Sequence, residues 1–155
     1  MTPRLDYGKA APGAIRSLVA IDRYLSDSGL EKSLLHLVKL RSSQINRCAY
    51  CIDTHSKEAR AAGETEQHLY GLSAWQDAPF YTDKERAALA WTESLTLISD
   101  HHVSDELYQQ ARAHFNETEL VNLTLAVIAI NAWNRIGISF RPNIATDKVP
   151  VAERS

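Results

Sequence analysis

Apolar residues recur at intervals of three and four along nearly the whole chain, and short polar segments separate these runs. Such spacing places the apolar side chains on one face of a helix. The period-two alternation of a half-buried strand is almost absent. The pattern therefore predicts an all-α protein with about six or seven helices.

Capping signals divide the first half of the chain into three helices. The first predicted helix runs from Ala14 to Asp27 and the second from Leu30 to Ser43. The third is predicted to begin at Asn46 as its N-cap and to run to Ala62, before a glycine of the type that ends many helices.

Capping residues also predict where the helices of the second half of the chain begin. Helix starts are predicted at Thr65, Thr82, Ser104 and Asn116. Two of these, TDKE and NETE, have the form of capping boxes. NETE precedes LVNLTLAVIAINAWNRIGISF, the longest apolar stretch of the chain. Asn122, Asn131, Asn134 and Arg135 interrupt that stretch, which favours a buried central helix over a membrane span.

Composition restricts the class of protein and its partners. A chain of 155 residues with 45% apolar and 23% charged residues is typical of one globular domain, which we assign to residues 1–141, with 142–155 as a mobile tail. A formal charge of −2 without a basic run argues against nucleic acid or an anionic membrane as partner. The N-terminal segment lacks the apolar core of a signal peptide, so a cytoplasmic location is expected.

Both cysteines of the chain lie in the segment INRCAYCIDTH, as a CxxC followed by a histidine four residues later. At about 100° per residue, Cys48, Cys51 and His55 share one helix face, whereas Tyr50 is expected to point elsewhere. A helix N-terminus favours a thiolate over a thiol, and a histidine one turn away can accept the thiol proton. The spacing thus predicts a redox-active dithiol with its own base.

Two other interpretations of the cysteines remain open on spacing alone. They are small residues of an apolar core, or they bind zinc together with His55 and His36. Either sulfur could be the activated one, since Cys51 is nearer to His55 and Cys48 is nearer to the helix start. No prosthetic group is expected for the redox interpretation.

The surrounding sequence adds a family resemblance. LLHLVKLRSSQINRCAYCIDTHSKEARAAGET closely resembles the alkylhydroperoxidase D-like branch of the carboxymuconolactone decarboxylase superfamily. FYTDKERAALAWTESLT and LTLAVIAINAWNRIGISF are similar to its later helices, so the resemblance covers most of residues 5–141. It implies an all-α fold that works as a trimer or hexamer.

The resemblance also implies an activity and a set of roles. The family's peroxidases reduce organic hydroperoxides through a dithiol cycle, and a lipoyl-bearing or other dithiol protein can reduce the disulfide again. By this resemblance Cys51 is the peroxidatic cysteine, Cys48 is the resolving cysteine and His55 belongs to the proton relay.

One departure from the family bears on that relay. Twelve residues before the first cysteine the family's peroxidases carry a glutamate, and this chain has His36 there. A neutral imidazole can also pass a proton near neutrality, so His36 is assigned to the relay. The opposing interpretation is that His55 loses its orienting carboxylate and peroxidase activity is weakened. Lys57, Glu58 and Arg60 are predicted to form the solvated side of the third helix.

Two alternatives to the peroxidase function remain, one a different enzyme and the other a non-catalytic protein. One is an enzyme of the decarboxylase side of the superfamily that acts on a small lactone acid, although that chemistry does not need a CxxC. The other is a non-catalytic helical module whose cysteines sense oxidants or hold zinc.

Overall fold

The computed structural model describes residues 2–145, and these residues form eight α-helices without a β-strand. The helices are α1 (Tyr7–Ala10), α2 (Pro12–Ser26), α3 (Lys32–Ile45), α4 (Ala49–Ala61), α5 (Glu66–Gly71), α6 (Asp83–Thr96), α7 (Asp105–His114) and α8 (Glu117–Phe140). A single 3-10 turn, Leu72–Ala74, follows α5. The predicted all-α class is confirmed. Of the tail predicted to be mobile, positions 146–155 lie outside the described residues.

Helices α3 and α8 form the centre of the molecule. Helix α3 packs against α4, α6 and α8, and α8 also contacts α2, α4, α6 and α7. The main apolar core lies between these helices and includes Leu34, Val38, Leu123 and Val127, all almost fully buried. Burying each such side chain contributes about 1.5–3 kcal/mol to folding. This core holds α3 and α8 together, and α4, which carries Cys51, packs against both of them.

Helix α8 combines length with high apolarity. Its 24 residues and a mean hydropathy of 1.3 over its most apolar window would also suit a membrane span. The interior helix of a globular fold has the same composition, and 39% of that window is buried inside this fold. Its polar residues Asn122 and Asn134 are buried against neighbouring helices. Its packing therefore accounts for the buried part of this composition, whereas Val121 and Ile128 remain exposed.

The capping predictions hold at four helix starts. The Thr82–Glu85 and Asn116–Glu119 capping boxes are both formed, with side chain and backbone paired in both directions. Thr65 and Ser104 each accept a hydrogen bond from a backbone N–H in the first turn of the following helix. These local signals fix where α5, α6, α7 and α8 begin because each satisfies donors that a helix start leaves unpaired.

The prediction that Asn46 caps the third helix is wrong. Asn46 is the C-cap of α3, and Arg47 after it adopts a left-handed φ of 56°. The Cys48 N–H bonds the Ser43 carbonyl at 3.0 Å and the Arg47 N–H bonds that of Gln44 at 3.1 Å, which is a Schellman ending. The chain therefore turns sharply, and Cys48 rather than Asn46 is the N-cap of α4.

The short helix α1 was not predicted. Asp6 caps it through the backbone N–H of Lys9, and Ala11 separates it from α2. Helix α2 begins at Pro12, two residues before the predicted start, because proline suits the first helical position. Tyr7 of α1 approaches Phe140 at the end of α8, with 6.1 Å between ring centres. The N-terminal segment thereby comes to lie beside the cysteine-bearing helix.

Candidate functional site: a dithiol between two cavities

Cys48 and Cys51 are joined in a disulfide at the start of α4, with Cα atoms 5.3 Å apart. Both are buried, at 1% and 3% exposure. The N–H of Cys51 donates to the sulfur of Cys48 at 3.4 Å, so a sulfur takes the place of the usual capping oxygen. Both sulfurs therefore lie at the positive end of the α4 dipole, which stabilises a thiolate after reduction.

Gly137 of α8 lies directly against the two sulfurs. A Cβ atom at this position would be 3.1 Å from the Cys48 sulfur and 3.3 Å from the Cys51 sulfur. The backbone of α8 can approach the disulfide this closely only because position 137 carries no side chain. The sequence analysis did not single out Gly137, although a glycine inside a long apolar helix is unfavourable for the helix and is a signal of close packing.

His55 is held by a carboxylate from its own helix. Its Nδ1 lies 2.8 Å from Oε2 of Glu58, one turn further along α4. Since a carboxylate only accepts hydrogen bonds, Nδ1 carries the proton and Nε2 keeps a lone pair when the ring is neutral. This hydrogen bond from His55 is the main reason why the pKa of Glu58 lies below its ordinary value. Lys57, Glu58 and Arg60 are exposed as predicted, and Glu58 in addition binds His55.

His36 occupies a different position. It does not line the cavity described below, and its buried Nδ1 has no hydrogen-bond partner among the described residues. Burial lowers its pKa below the ordinary histidine value, while the nearby charge of Glu58 acts in the opposite direction. His36 thus lies within electrostatic reach of the His55–Glu58 pair, and its assignment to the relay stays a prediction.

A cavity of about 440 Å³ opens beside Cys51. Its wall combines aromatic and apolar groups with the reactive and ionisable ones, namely Tyr7, Ile15, Asp22, Lys39, Tyr50, Cys51, Thr54, His55, Glu58, Trp133 and Gly137. Cys48 is not part of this wall. The expectation that Tyr50 points away from the site is wrong, because its side chain lines the cavity together with that of Cys51.

The far wall of this cavity is a hydrogen-bonded ion pair. Asp22 of α2 accepts from Lys39 Nζ at 2.8 Å and from the indole N–H of Trp133 at 2.7 Å. The three residues come from α2, α3 and α8, so this contact ties together the helices that surround the site. Sequence reasoning missed it because the three positions are far apart along the chain.

A network of amides fixes the turn before Cys48 to α8. The side-chain NH₂ of Asn46 donates to Asn131 Oδ1 at 3.0 Å and to Asn134 Oδ1 at 2.8 Å. Asn134 in turn donates to the hydroxyl of Ser43 at 3.0 Å. The polar residues of SSQIN and NAWNR therefore bind each other across the fold and position the turn, and none of these four lines the cavity beside Cys51.

The structure gives no support to the zinc interpretation. Within residues 2–145, no three His, Cys, Asp or Glu side chains are arranged to hold a metal ion. His36 and His55 do not converge with the sulfurs on one point: His55 bonds Glu58, and the sulfurs bond each other.

Comparison with known families assigns the chain. The model of the carboxymuconolactone decarboxylase family matches residues 12–94, which include α2, α3, α4 and most of α6. The chain belongs to the carboxymuconolactone decarboxylase family. Within this family its all-α fold and its CxxC pair make it an AhpD-like (alkylhydroperoxidase D-like) member.

Relatives within the family support this placement. The uncharacterized protein YdfG of Bacillus subtilis strain 168 is 42% identical over 139 residues, which are 90% of this chain and 95% of YdfG.

Solved structures show the same fold. ATU0492 of Agrobacterium tumefaciens, a protein of unknown function suggested to be the antioxidant defence protein AhpD, is 42% identical with a TM-score of 0.91, over 94% of this chain and 100% of its own. A peroxidase-related protein of Ralstonia eutropha JMP134, described as an alkylhydroperoxidase AhpD core, has a TM-score of 0.76 at 21% identity, over 88% of this chain and 74% of its own. At that identity it is similar in fold alone.

Proposed function

We propose that this AhpD-like protein is a thiol peroxidase that reduces organic hydroperoxides. The observation that carries the proposal is that Cys51, His55 and Glu58 face one cavity, with Cys48 within disulfide distance of Cys51. A nucleophile, a base with a free lone pair and an orienting carboxylate are the parts that an activated cysteine requires.

The residues have distinct roles in this reaction. Nε2 of His55 accepts the proton of the reduced Cys51, and the thiolate attacks the terminal oxygen of the hydroperoxide. The O–O bond breaks, the alcohol leaves with a proton returned by His55, and Cys51 becomes a sulfenic acid. The sulfur of Cys48 then displaces water from that sulfenic acid, which restores the disulfide.

Glu58 supplies a carboxylate partner for His55 in place of the glutamate that the family's peroxidases carry at position 36. The carboxylate that the family resemblance places at position 36 is absent, yet His55 has a carboxylate partner on its own helix. Glu58 stays ionised below the ordinary pKa of a glutamate, so it can orient and charge-stabilise the His55 ring across neutral pH. A proton relay through His55 therefore does not depend on a carboxylate at position 36.

The remaining parts of the proposal concern the setting of the reaction. The enzyme acts in the cytoplasm. Its substrates are small hydroperoxides with apolar groups, since a cavity of about 440 Å³ lined by Tyr7, Ile15 and Trp133 suits such a molecule. A dithiol or lipoyl-type reductant completes each cycle.

The deciding experiment counts free thiols on the reduced, chelator-treated protein before and after one equivalent of cumene hydroperoxide, and again after dithiothreitol. The proposal requires two thiols per chain to disappear with one alcohol formed, and dithiothreitol to restore them. In Cys48→Ser, Cys51 should be trapped as a sulfenic acid by dimedone.

Cys51→Ser provides the matched control, because it keeps the Cys48 thiol but removes the one that faces His55. It should consume no peroxide beyond the background rate. If the reduced wild type keeps both thiols in the presence of peroxide, the peroxidase proposal fails and decarboxylase-type chemistry becomes the alternative to test.

A further inference from the structure

The other side of the disulfide opens into a second cavity, of about 260 Å³, between the start of α4 and the end of α8. Its wall contains Cys48 but neither Cys51, His55 nor Glu58. The remaining wall residues are Arg47, Ala49, Tyr50, Gly137, Ile138, Arg141, Pro142 and Ile144. Each cysteine of the disulfide thus borders a different cavity, and of the lining residues only Gly137 and Tyr50 border both.

Two arginines give this second cavity its charge. Arg47 and Arg141 both line it, and within residues 2–145 only their backbone N–H groups have hydrogen-bond partners, whereas neither guanidinium has a hydrogen-bond or ion-pair partner. Among the described residues, no acidic side chain lines the cavity to neutralise them. Two unpaired guanidinium groups beside a sulfur would bind a carboxylate carried by an incoming molecule.

The backbone at both arginines is unusual in the same way. Arg47 has a φ of 56° and Arg141 a φ of 53°, and these are the two non-glycine residues with positive φ in the described chain. Glycine would adopt this conformation at lower cost, since a residue with a Cβ is disfavoured there by about 1–2 kcal/mol. Each arginine ends a helix, α3 or α8, at the rim of the same cavity.

We propose that this cavity is the entry site of the reductant, and that it takes a small thiol bearing a carboxylate, which attacks Cys48. The inference rests on the proposed dithiol cycle and assigns the two half-reactions to opposite sides of the disulfide. A thiolate that enters this cavity meets Cys48 and not Cys51, because Cys48 is the cysteine that lines it.

The chemistry of the step balances without a further reagent. The thiolate forms a bond to the Cys48 sulfur, the Cys48–Cys51 bond breaks, and its electron pair leaves on Cys51 as a thiolate. A second thiolate then attacks the sulfur of the bound reductant, which departs as a disulfide and releases Cys48. Cys51 is left as a thiolate beside His55, in the state that reacts with the next peroxide.

Which of the two sulfurs the thiol attacks can be determined by locating the adduct. Disulfide protein prepared with diamide, without any peroxide, is mixed briefly with 3-mercaptopropionate, quenched in acid and alkylated, and the adduct is located by fragmentation of the peptide that contains both cysteines. We expect mercaptopropionate on Cys48 and the alkyl group on Cys51. The reverse pattern overturns the proposal. Because the disulfide is made with diamide, the result does not depend on whether the protein reduces peroxides.

The role of the arginines is tested by charge selectivity. The rate constant for reduction by 3-mercaptopropionate is divided by that for the neutral 2-mercaptoethanol, so that a general effect on the disulfide cancels. In the double variant Arg47→Ala, Arg141→Ala this ratio should fall at least fivefold. Arg23→Ala, which removes an exposed arginine on α2 outside both cavities, should keep the wild-type ratio. An unchanged ratio in the double variant overturns the assignment of a carboxylate-bearing reductant.

Discussion

At the scale of single residues, the pair formed by His55 and Glu58 determines which protonation state the site can use. The hydrogen bond to Glu58 places the ring proton on Nδ1 and leaves Nε2 as the base. Two neighbouring features of one helix, a histidine and a glutamate three residues apart, are enough to form this pair.

We therefore expect Glu58→Gln to slow peroxide-driven disulfide formation about tenfold or more, because a neutral amide no longer stabilises the positive charge that His55 acquires. The measurement is stopped-flow oxidation of the reduced protein. Glu106→Gln, a substitution of an exposed carboxylate on α7, should react like the wild type. A wild-type rate in Glu58→Gln would remove Glu58 from the relay.

At the scale of elements, the position of α4 depends on how its first residues are held against α8. The Schellman ending of α3 places Cys48 at the start of α4. The side-chain amides of Asn46, Asn131 and Asn134 hold this turn against α8. Asn134 is buried and the other two are half-buried, so a lost partner leaves an unsatisfied donor or acceptor that water reaches poorly.

Asn134→Ala should lower the free energy of unfolding by about 1–3 kcal/mol, because Asn46 loses an acceptor and Ser43 loses a donor in a buried site. Urea titration monitored by circular dichroism measures the change. Asn143→Ala, at an exposed position after α8, is the matched control and should change little. Equal stability of the two variants would contradict the role given to the network.

Gly137→Ala tests the contact between α8 and the disulfide. The added methyl group would lie 3.1 Å and 3.3 Å from the two sulfurs and would crowd both of them. Peroxide-driven disulfide formation should slow at least fivefold while helical circular dichroism is retained. Gly13→Ala on α2, whose added methyl meets only the end of the Arg16 side chain at 3.9 Å, is expected to react normally. If both variants react alike, the close approach at Gly137 has no role in the reaction.

At the scale of the whole molecule, folding shifts the pKa values of His36 and Glu58, and these shifts make stability depend on pH. Burial lowers the pKa of His36, so the unfolded chain binds a proton there more readily than the folded chain. Stability from this residue is complete above the unfolded pKa of about 6.5 and is lost as the pH falls below it. The lowered pKa of Glu58 acts in a lower window, below the ordinary glutamate pKa of about 4.3.

The free energy of unfolding should therefore decrease between about pH 7 and about pH 5.5, and His36→Gln should reduce that decrease. Urea titrations at both pH values measure it. His102→Gln, at an exposed histidine, should leave the wild-type dependence intact. The same slope in His36→Gln and the wild type would exclude His36 as its source.

Assembly into a homo-oligomer stays a prediction, and exposed apolar residues on α8 are the candidate contact surface for it. Val121 and Ile128 are 67% and 56% exposed and lie seven residues apart, on one side of the helix. We expect light scattering to give a mass of several chains for the wild type, and Ile128→Glu to reduce it. Thr118→Glu, an exposed polar position on the same helix, should not change the mass. A monomeric wild type would contradict the expectation.

The sequence by itself determined the helical class, four capped helix starts and the segment that holds the dithiol, because periodicity and capping act over a few residues. His55 was found in the same way, from its spacing to Cys51. Glu58 was within reach of the same argument, since it is one turn from His55, but a charged residue on an amphipathic helix is ordinarily solvated.

Only the tertiary structure decided which cysteine borders which cavity. Asn46 was misread as an N-cap because its partners, Asn131 and Asn134, lie more than eighty residues away in sequence. The contact of Gly137 with the sulfurs and the joining of Asp22, Lys39 and Trp133 are likewise set by helix packing. Contacts between distant segments depend on the mutual fit of all helices, and no local pattern in the chain encodes that fit.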